Sequence, residues 1–285
     1  MLYNYLYKFI SILLIQFFFI KINAVKKKNV YKKYNQLNII KDIEKNGENY
    51  KKYNLKNIQN IKKVVYSIII GDYDQISSFN KQEGFNYFLF TDTNCSNNTN
   101  WTIIPISKLI EKVNISGIKI TRYIKLFPHL FFKDYELSIY FDGSLILNGD
   151  LNELLLRILN PTFNLYLLQH PQRNKVFQEL SAVVFHKKET KEAVDIIEKR
   201  YVKINFPDNL GLTENCIIIR RHNKKDIIKL MEVWWNEIKN YSYRDQLSLN
   251  FAIWKLNLTI KIYYLSKNFM LDYFTQKDHL KVVVY

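Results

Sequence analysis

The chain has 285 residues, 48% hydrophobic and 15% aromatic, with a formal net charge of +16 and only two cysteines. That length and apolar content are enough for one large α/β domain, or one domain plus a small appendage, and two distant cysteines (Cys95 and Cys216) make neither a disulfide framework nor a metal-ligand spacing. The charge does not mark a nucleic-acid partner, because residues 21–63 hold thirteen lysines against three acids (Asp42, Glu44, Glu48) and residues 64–285 carry only +5.

The first element is the apolar run Phe9 to Ile20, FISILLIQFFFI, set between Lys8 and Lys21. With the aromatic stretch before it, the run reaches about 20 residues, so 1–22 reads as a signal anchor or as a signal peptide cleaved near Ala24. Residues 23–62 form a lysine-rich stem, which either lies against anionic lipid or stays solvated. These features predict a membrane-associated, single-pass protein. It would be lumenal and Golgi-type in a eukaryote, or on the cytoplasmic face of a bacterial inner membrane. Lys26-Lys27-Lys28 favour a cytoplasmic side for the domain after the stem.

The compact domain spans 63–285. Val64–Ile70 is a continuous apolar run, typical of a strand buried on both faces of a parallel sheet, and it runs into Gly71-Asp72-Tyr73-Asp74. Phe85–Thr91 and Trp101–Ile104 read as further strands, and 117–133 carries a helical pattern ending near Pro128. There Arg122 and Lys125, three apart, share one face, while Phe127, Leu130 and Phe131 should pack inward. Glu136–Phe141 is a strand running into Asp142-Gly143-Ser144.

That triplet has two readings. Asp-Gly between apolar runs is a type I′ hairpin signal. A carboxylate at the carboxyl end of a buried strand can also face a ligand phosphate or its metal.

Asp150-Leu-Asn-Glu153 predicts a helix from Leu151. Leu165–Gln169 is a strand, followed by helices at 175–187 and 190–202, a strand at Glu214–Arg221, helices at 226–240 and 243–256, and a strand at Thr259–Leu265. Strands interleaved with helices predict an α/β sandwich on a mostly parallel sheet. In the helix from 243, Leu247, Phe251 and Trp254 make a core stripe, and Ser242 with Asp245 is either a capping pair or part of a site. No GxGxxG or Walker loop is present, so dinucleotide and P-loop readings fail. Remaining polar candidates are His170, Arg173, Glu179, Glu214, His222 and His279.

The order of these pieces resembles a nucleotide-sugar glycosyltransferase of the GT-A type. Thr121 to Leu151 is similar to the segment of family-8 (glycogenin-like) enzymes that carries an Arg-bearing helix and then a strand ending in Asp-x-Asp. Arg244 to Asn250, RDQLSLN, resembles that group's Asp-Gln-x-x-Leu-Asn segment. A closer likeness is to the turgor-regulation-defect and mucilage-related glycosyltransferase-like family. Its ordered landmarks are VVYSIIIGDYDQI (64–76), FNYFLFTD (85–92), RYIKLFPH (122–129), SIYFDGSLIL (138–147), QHPQR (169–173), FPDNLGLTE (206–214), IIRRHN (218–223), VWWNEI (233–238) and RDQLSLNFAIWK (244–255).

The resemblance implies a GT-A-like nucleotide-sugar-binding sandwich that transfers a sugar to a glycan or other hydroxyl acceptor, with hexosyl transfer and retention as the family-8 analogy. It implies donor contacts from Gly71, Tyr73, Arg122, Lys125, Asp142, Gly143 and Ser144, with Asp245 and Gln246 near the anomeric carbon. His170, Arg173, Glu179, Glu214 and His222 would serve the acceptor or brace the site. A divalent metal, Mn or Mg, would sit on Asp142, with His279 as an extra ligand. Ser144 replaces the usual second aspartate, so a catalytically inactive sugar- or partner-binding module is the alternative.

Overall fold

The structure is a computed structural model and describes residues 58–279, apart from 72, 94–99, 116 and 258–259. The expected anchor (1–22), nearly all of the stem (23–62) and Asp72 lie outside the described residues. Among the described residues no helix is long and apolar enough to cross a membrane.

The central strand, β1 (Lys63–Ile69), is buried at every position. It lies between β2 (Phe85–Thr91) and β4 (Leu137–Phe141), parallel to both, and β3 (Thr102–Pro105) extends the parallel set beyond β2. With β6 (Leu165–Gln169), β7 (Thr213–Arg220) and β8 (Ile262–Leu265) the sheet has the order β3-β2-β1-β4-β7-β6-β8. The sheet is mostly parallel, as the interleaving predicted. The exception is β7, antiparallel to both β4 and β6. An apolar run reports burial on both faces but not direction, so nothing in ENCIIIRR distinguished the two. The strand expected at Thr259–Leu265 is β8, and it begins at Ile262.

Alternation along β1 splits the core into two layers. Val65 and Ile69 face the cluster completed by Leu151, Leu154, Leu155 and Ile158 of α4 (Leu151–Ile158). Val64, Tyr66 and Ile68 face the other, built with α2 (Ile118–Leu126) and α7 (Lys225–Asn240), where Ile120, Ile124, Leu230 and Trp234 are fully buried. Each such side chain contributes about 1.5–3 kcal/mol. α1 (Ser107–Val113) precedes α2. α5 (Val176–Phe185), α6 (Lys191–Lys203) and α8 (Leu249–Leu256) close a third cluster around Tyr201, Leu247 and Phe251, with Trp254 packed on its edge.

Local signals explain the helix ends. Asp150 caps α4, its Oδ1 accepting from the amides of Asn152 (2.7 Å) and Glu153 (3.2 Å). As expected, the helix ends beside Pro128, at Leu126, because Pro128 lacks the amide needed to continue, and a new turn, α3 (Pro128–Phe131), starts there. That break resets the helical phase. Leu130, expected inside, is 46% exposed, while Phe127 is buried as expected.

The hairpin reading of Asp142-Gly143-Ser144 does not hold. The strand after the turn, β5 (Leu145–Leu147), pairs with β9 (Phe274–Gln276) in a separate two-stranded sheet and not with β4. Neither Asp142 nor Gly143 has the positive φ that a type I′ turn requires. The chain instead makes a tight turn, with Leu145 N donating to Asp142 O at 2.9 Å, and leaves the main sheet. α9 (Lys267–Leu271) precedes β9.

Candidate functional site

The carboxyl ends of β1, β2 and β4 lie side by side, which is where an open α/β sheet leaves room for a ligand. At the end of β4, residues Ser138, Tyr140 and Asp142 share one strand face by the period of two. Asp142 therefore emerges on the side covered by α2. Its backbone amide is held by Cys216 O at 2.8 Å, and its side chain remains one-third exposed. Tyr140 donates its hydroxyl to Asp142 Oδ1 at 2.5 Å. Burial, and next the Asp142 charge, push that phenol well above its ordinary pKa.

α2 brings its two cations to the same place. Lys125, 2% exposed, puts Nζ 2.7 Å from Asp245 Oδ2 and 3.7 Å from Asp142 Oδ1, over the Tyr140 ring at 5.0 Å. Arg122 Nε lies 3.8 Å from the same Asp245 oxygen and donates to Tyr243 O at 3.1 Å. The shared helix face read from the sequence is thus a shared contact. It joins residues 120 positions apart.

Asp245 does not cap a long helix. It opens a 3-10 turn (Asp245–Leu247), α8 begins only at Leu249, and Ser242 Oγ accepts from Arg244 N instead of capping α8. Burial alone would raise the Asp245 pKa, but Lys125 and then Arg122 outweigh it and hold it at about 2. Its Oδ1 accepts from Asn215 Nδ2 at 3.3 Å, and its backbone carbonyl accepts from Trp234 Nε1 at 3.0 Å. Both carboxylate oxygens are therefore engaged. Gln246 projects beside it, its Oε1 accepting from Arg244 at 3.2 Å.

Asn215 escaped the sequence reading. A bulge puts it there: between Leu167 and Leu168 the β6–β7 register jumps from Ile218 to Glu214, leaving 215–217 outside the regular ladder. That irregularity aims Asn215 at Asp245 and offers Cys216 O to Asp142, a use of bulges common beside functional sites. Thr213 Oγ1 orients Asn215 from below, donating to its Oδ1 at 2.8 Å. Tyr140 was within reach of sequence reasoning, since it stands two residues before Asp142 on the same strand face.

The loop after β1 forms the other wall. Gly71 has φ +66, and its amide donates to both Asp92 oxygens, at 3.0 and 3.1 Å. Gly143 is required by close packing: a Cβ there would sit 2.7 Å from Ile69 Cγ1 and 2.9 Å from Asp74 Oδ2. Tyr73 stacks against His279, centroids 4.4 Å apart, and His279 Nδ1 pairs with Asp74 at 2.7 Å. Ser144 is buried, and its carbonyl accepts from Lys277 N at 2.8 Å.

Of the other candidates, His170, Arg173 and Glu179 form one cluster. Arg173 Nε is 2.5 Å and His170 Nε2 3.7 Å from Glu179 Oε2, and burial lowers the His170 pKa. Glu214 pairs with Lys267 at 3.3 Å, leaving a buried Oε2 with no partner. His222 is buried elsewhere, its Nε2 on Phe132 O at 2.9 Å.

No three His, Cys, Asp or Glu side chains converge as a metal site among the described residues. Asp142 is one-third exposed and its Oδ2 has no partner there, so the donor set suits a metal brought in with a diphosphate better than a preformed resident one.

A mostly parallel sheet, covered by helices on both faces and carrying a charged cluster at its strands' carboxyl ends, makes an α/β sandwich with a candidate ligand site where such folds leave room for one. The chain belongs to the TOD1/MUCI70 family, whose glycosyltransferase-like domain matches residues 24–284. No curated protein sequence matches it. Among solved structures, the apo WbbM bifunctional glycosyltransferase is similar with TM-score 0.44 and 12% identity, over 72% of this chain and 39% of that one. Apo mouse xyloside xylosyltransferase 1 is similar with TM-score 0.42 and 8% identity, over 71% of this chain and 85% of that one.

Proposed function

We propose that this glycosyltransferase takes its sugar from a nucleotide-sugar donor held at the ends of β1 and β4 and passes it to a hydroxyl of a glycan or similar acceptor. The observation that carries this reading is the Lys125 ammonium, buried and fixed between Asp245 and Asp142 at the mouth of the sheet. Lys125 and Arg122 supply fixed positive charge where a leaving diphosphate gains negative charge, and such preorganised charge acts strongest away from water. Asp142 accepts from a ribose hydroxyl, and it is the residue that would hold a metal entering with the diphosphate. That ion would add further positive charge to the leaving group.

Asp245 acts by holding Lys125 and Arg122, and by placing negative charge near the anomeric carbon. With both its oxygens occupied it is not a free nucleophile. Gln246, beside it, offers an amide to the donor sugar. Glu214 and His170 are read as acceptor contacts, supported by the unpartnered Glu214 oxygen. Residues 1–22 are read as a membrane anchor, supported by the apolar run between Lys8 and Lys21. The full chain should then sediment with membranes and leave them only with detergent, not with salt.

A binding module without catalysis is the second reading, favoured by the single carboxylate at the 142–144 turn. Incubation with uridine- and guanosine-diphosphate sugars, with Mn²⁺, separates the two. The transferase reading expects slow release of the nucleoside diphosphate to water. Donor binding without any release, with or without added glycan acceptors, would leave the binding module.

A further inference from the structure

Directly beneath Lys125 lies a cation with no counter-charge. Arg220, at the end of β7, is fully buried. It makes no ion pair among the described residues. Its Nη2 donates to the Tyr66 hydroxyl at 2.5 Å and to the Lys125 carbonyl, its Nη1 rests 3.1 Å from Met231 Sδ, and its Nε has no partner. Tyr66 itself donates to the Lys125 carbonyl at 2.8 Å. The neighbouring histidines stay neutral and offer Arg220 no counter-charge: burial and then Arg220 lower His129, and burial chiefly holds His222 at about 4. The other polar group facing it is Tyr140, whose ring lies 5.2 Å from that of Tyr66 and whose hydroxyl leads to Asp142.

Capping the last turn of α2 does not call for a charge. Tyr66 already serves the Lys125 carbonyl, and a buried charge without a partner is among the most costly groups a fold can hold. We propose that Arg220 is a positioning residue for the donor diphosphate that acts chiefly by its charge, set below Lys125 and adding to the positive charge that faces Asp142 and Asp245. Around the site Arg122, Lys125 and Arg244 already outnumber those two carboxylates, and the Arg220 charge adds to a surplus that favours an anion. This inference rests on the donor-site reading above.

The test is calorimetric titration of uridine diphosphate, guanosine diphosphate and their free nucleosides into the full chain and two variants. If the wild-type chain binds neither diphosphate, the donor-site reading fails and the inference fails with it. Given wild-type binding, Arg220→Met should cost about tenfold or more in diphosphate affinity. It should leave nucleoside binding unchanged and keep or raise the melting temperature. Arg220→Lys keeps the charge but not the hydrogen bonds, so it should retain most diphosphate affinity while melting lower. A diphosphate affinity within about twofold of wild type in Arg220→Met overturns the inference and leaves the donor site standing. If the Met variant does not fold, the Lys variant decides: retained affinity supports the inference, and loss of diphosphate with unchanged nucleoside binding overturns it.

Discussion

Asp245→Asn strands a buried ammonium. In the native chain Lys125 is 2% exposed and finds Asp245 at 2.7 Å, with Asp142 as a second carboxylate only at 3.7 Å. Removing one partner of a buried pair typically costs about 3–5 kcal/mol. The Asp245 pKa gives a second measure: its fall from 3.8 to about 2 corresponds to about 2 kcal/mol of folded-state preference for the carboxylate. Because the folded value is the lower one, this stabilisation is present above pH 3.8 and is lost as pH falls through 3.8 toward about 2. Denaturant unfolding at neutral pH should therefore show Asp245→Asn less stable by about 2–5 kcal/mol, and the gap should shrink steadily below about pH 4. Combining it with Lys125→Met should cost less than the sum of the single variants, because the double variant no longer holds the Lys125 charge that Asp245→Asn strands. A loss under about 1 kcal/mol at neutral pH, or strict additivity, would refute the buried network.

Other substitutions probe the parts separately. Asp142→Asn, at a one-third-exposed position, should leave the melting temperature nearly unchanged while weakening nucleoside diphosphate binding, read by calorimetry with and without Mn²⁺. Gly143→Ala forces a Cβ against Ile69 Cγ1 and Asp74, so it should cost about 1–3 kcal/mol, and adding Ile69→Ala, which removes that Cγ1, should cost less than the sum of the two in a denaturant series. Asn215→Leu removes the donor to Asp245 Oδ1, and unfolding should show a loss of about 1–3 kcal/mol together with slower donor turnover. Asp150→Ala should cost about 0.5–2 kcal/mol and leave nucleotide affinity alone, a control for purely structural loss.

The features legible in the sequence were local. The ranges Phe85–Thr91 and Leu165–Gln169 coincide with β2 and β6, the start of α4 is set by Asp150, and the pairing of Arg122 with Lys125 comes from helical spacing. The carboxylate at the end of β4 was visible too, as one of two readings. The features that stayed hidden depend on long-range pairing. Nothing near Asp142 announces that β5 will join β9, some 130 residues on, rather than fold back on β4. The antiparallel course of β7 and its bulge, which deliver Asn215 and the Cys216 carbonyl, have no pattern in a run of isoleucines. The 3-10 turn at Asp245 looks like a helix start because Leu247 and Phe251 keep helical spacing across it. Arg220 reads as an ordinary basic residue at a strand end. Only the folded sheet shows that it is buried beneath Lys125.

The most direct test of the central claim is a crystal structure of the protein grown with a nucleoside diphosphate and Mn²⁺. The account predicts the diphosphate at the end of β4, within about 4 Å of the Lys125 and Arg122 head groups or bridged to Asp142 by the metal. A nucleotide bound at another edge of the sheet, with the Asp142, Lys125 and Asp245 cluster untouched, would contradict it.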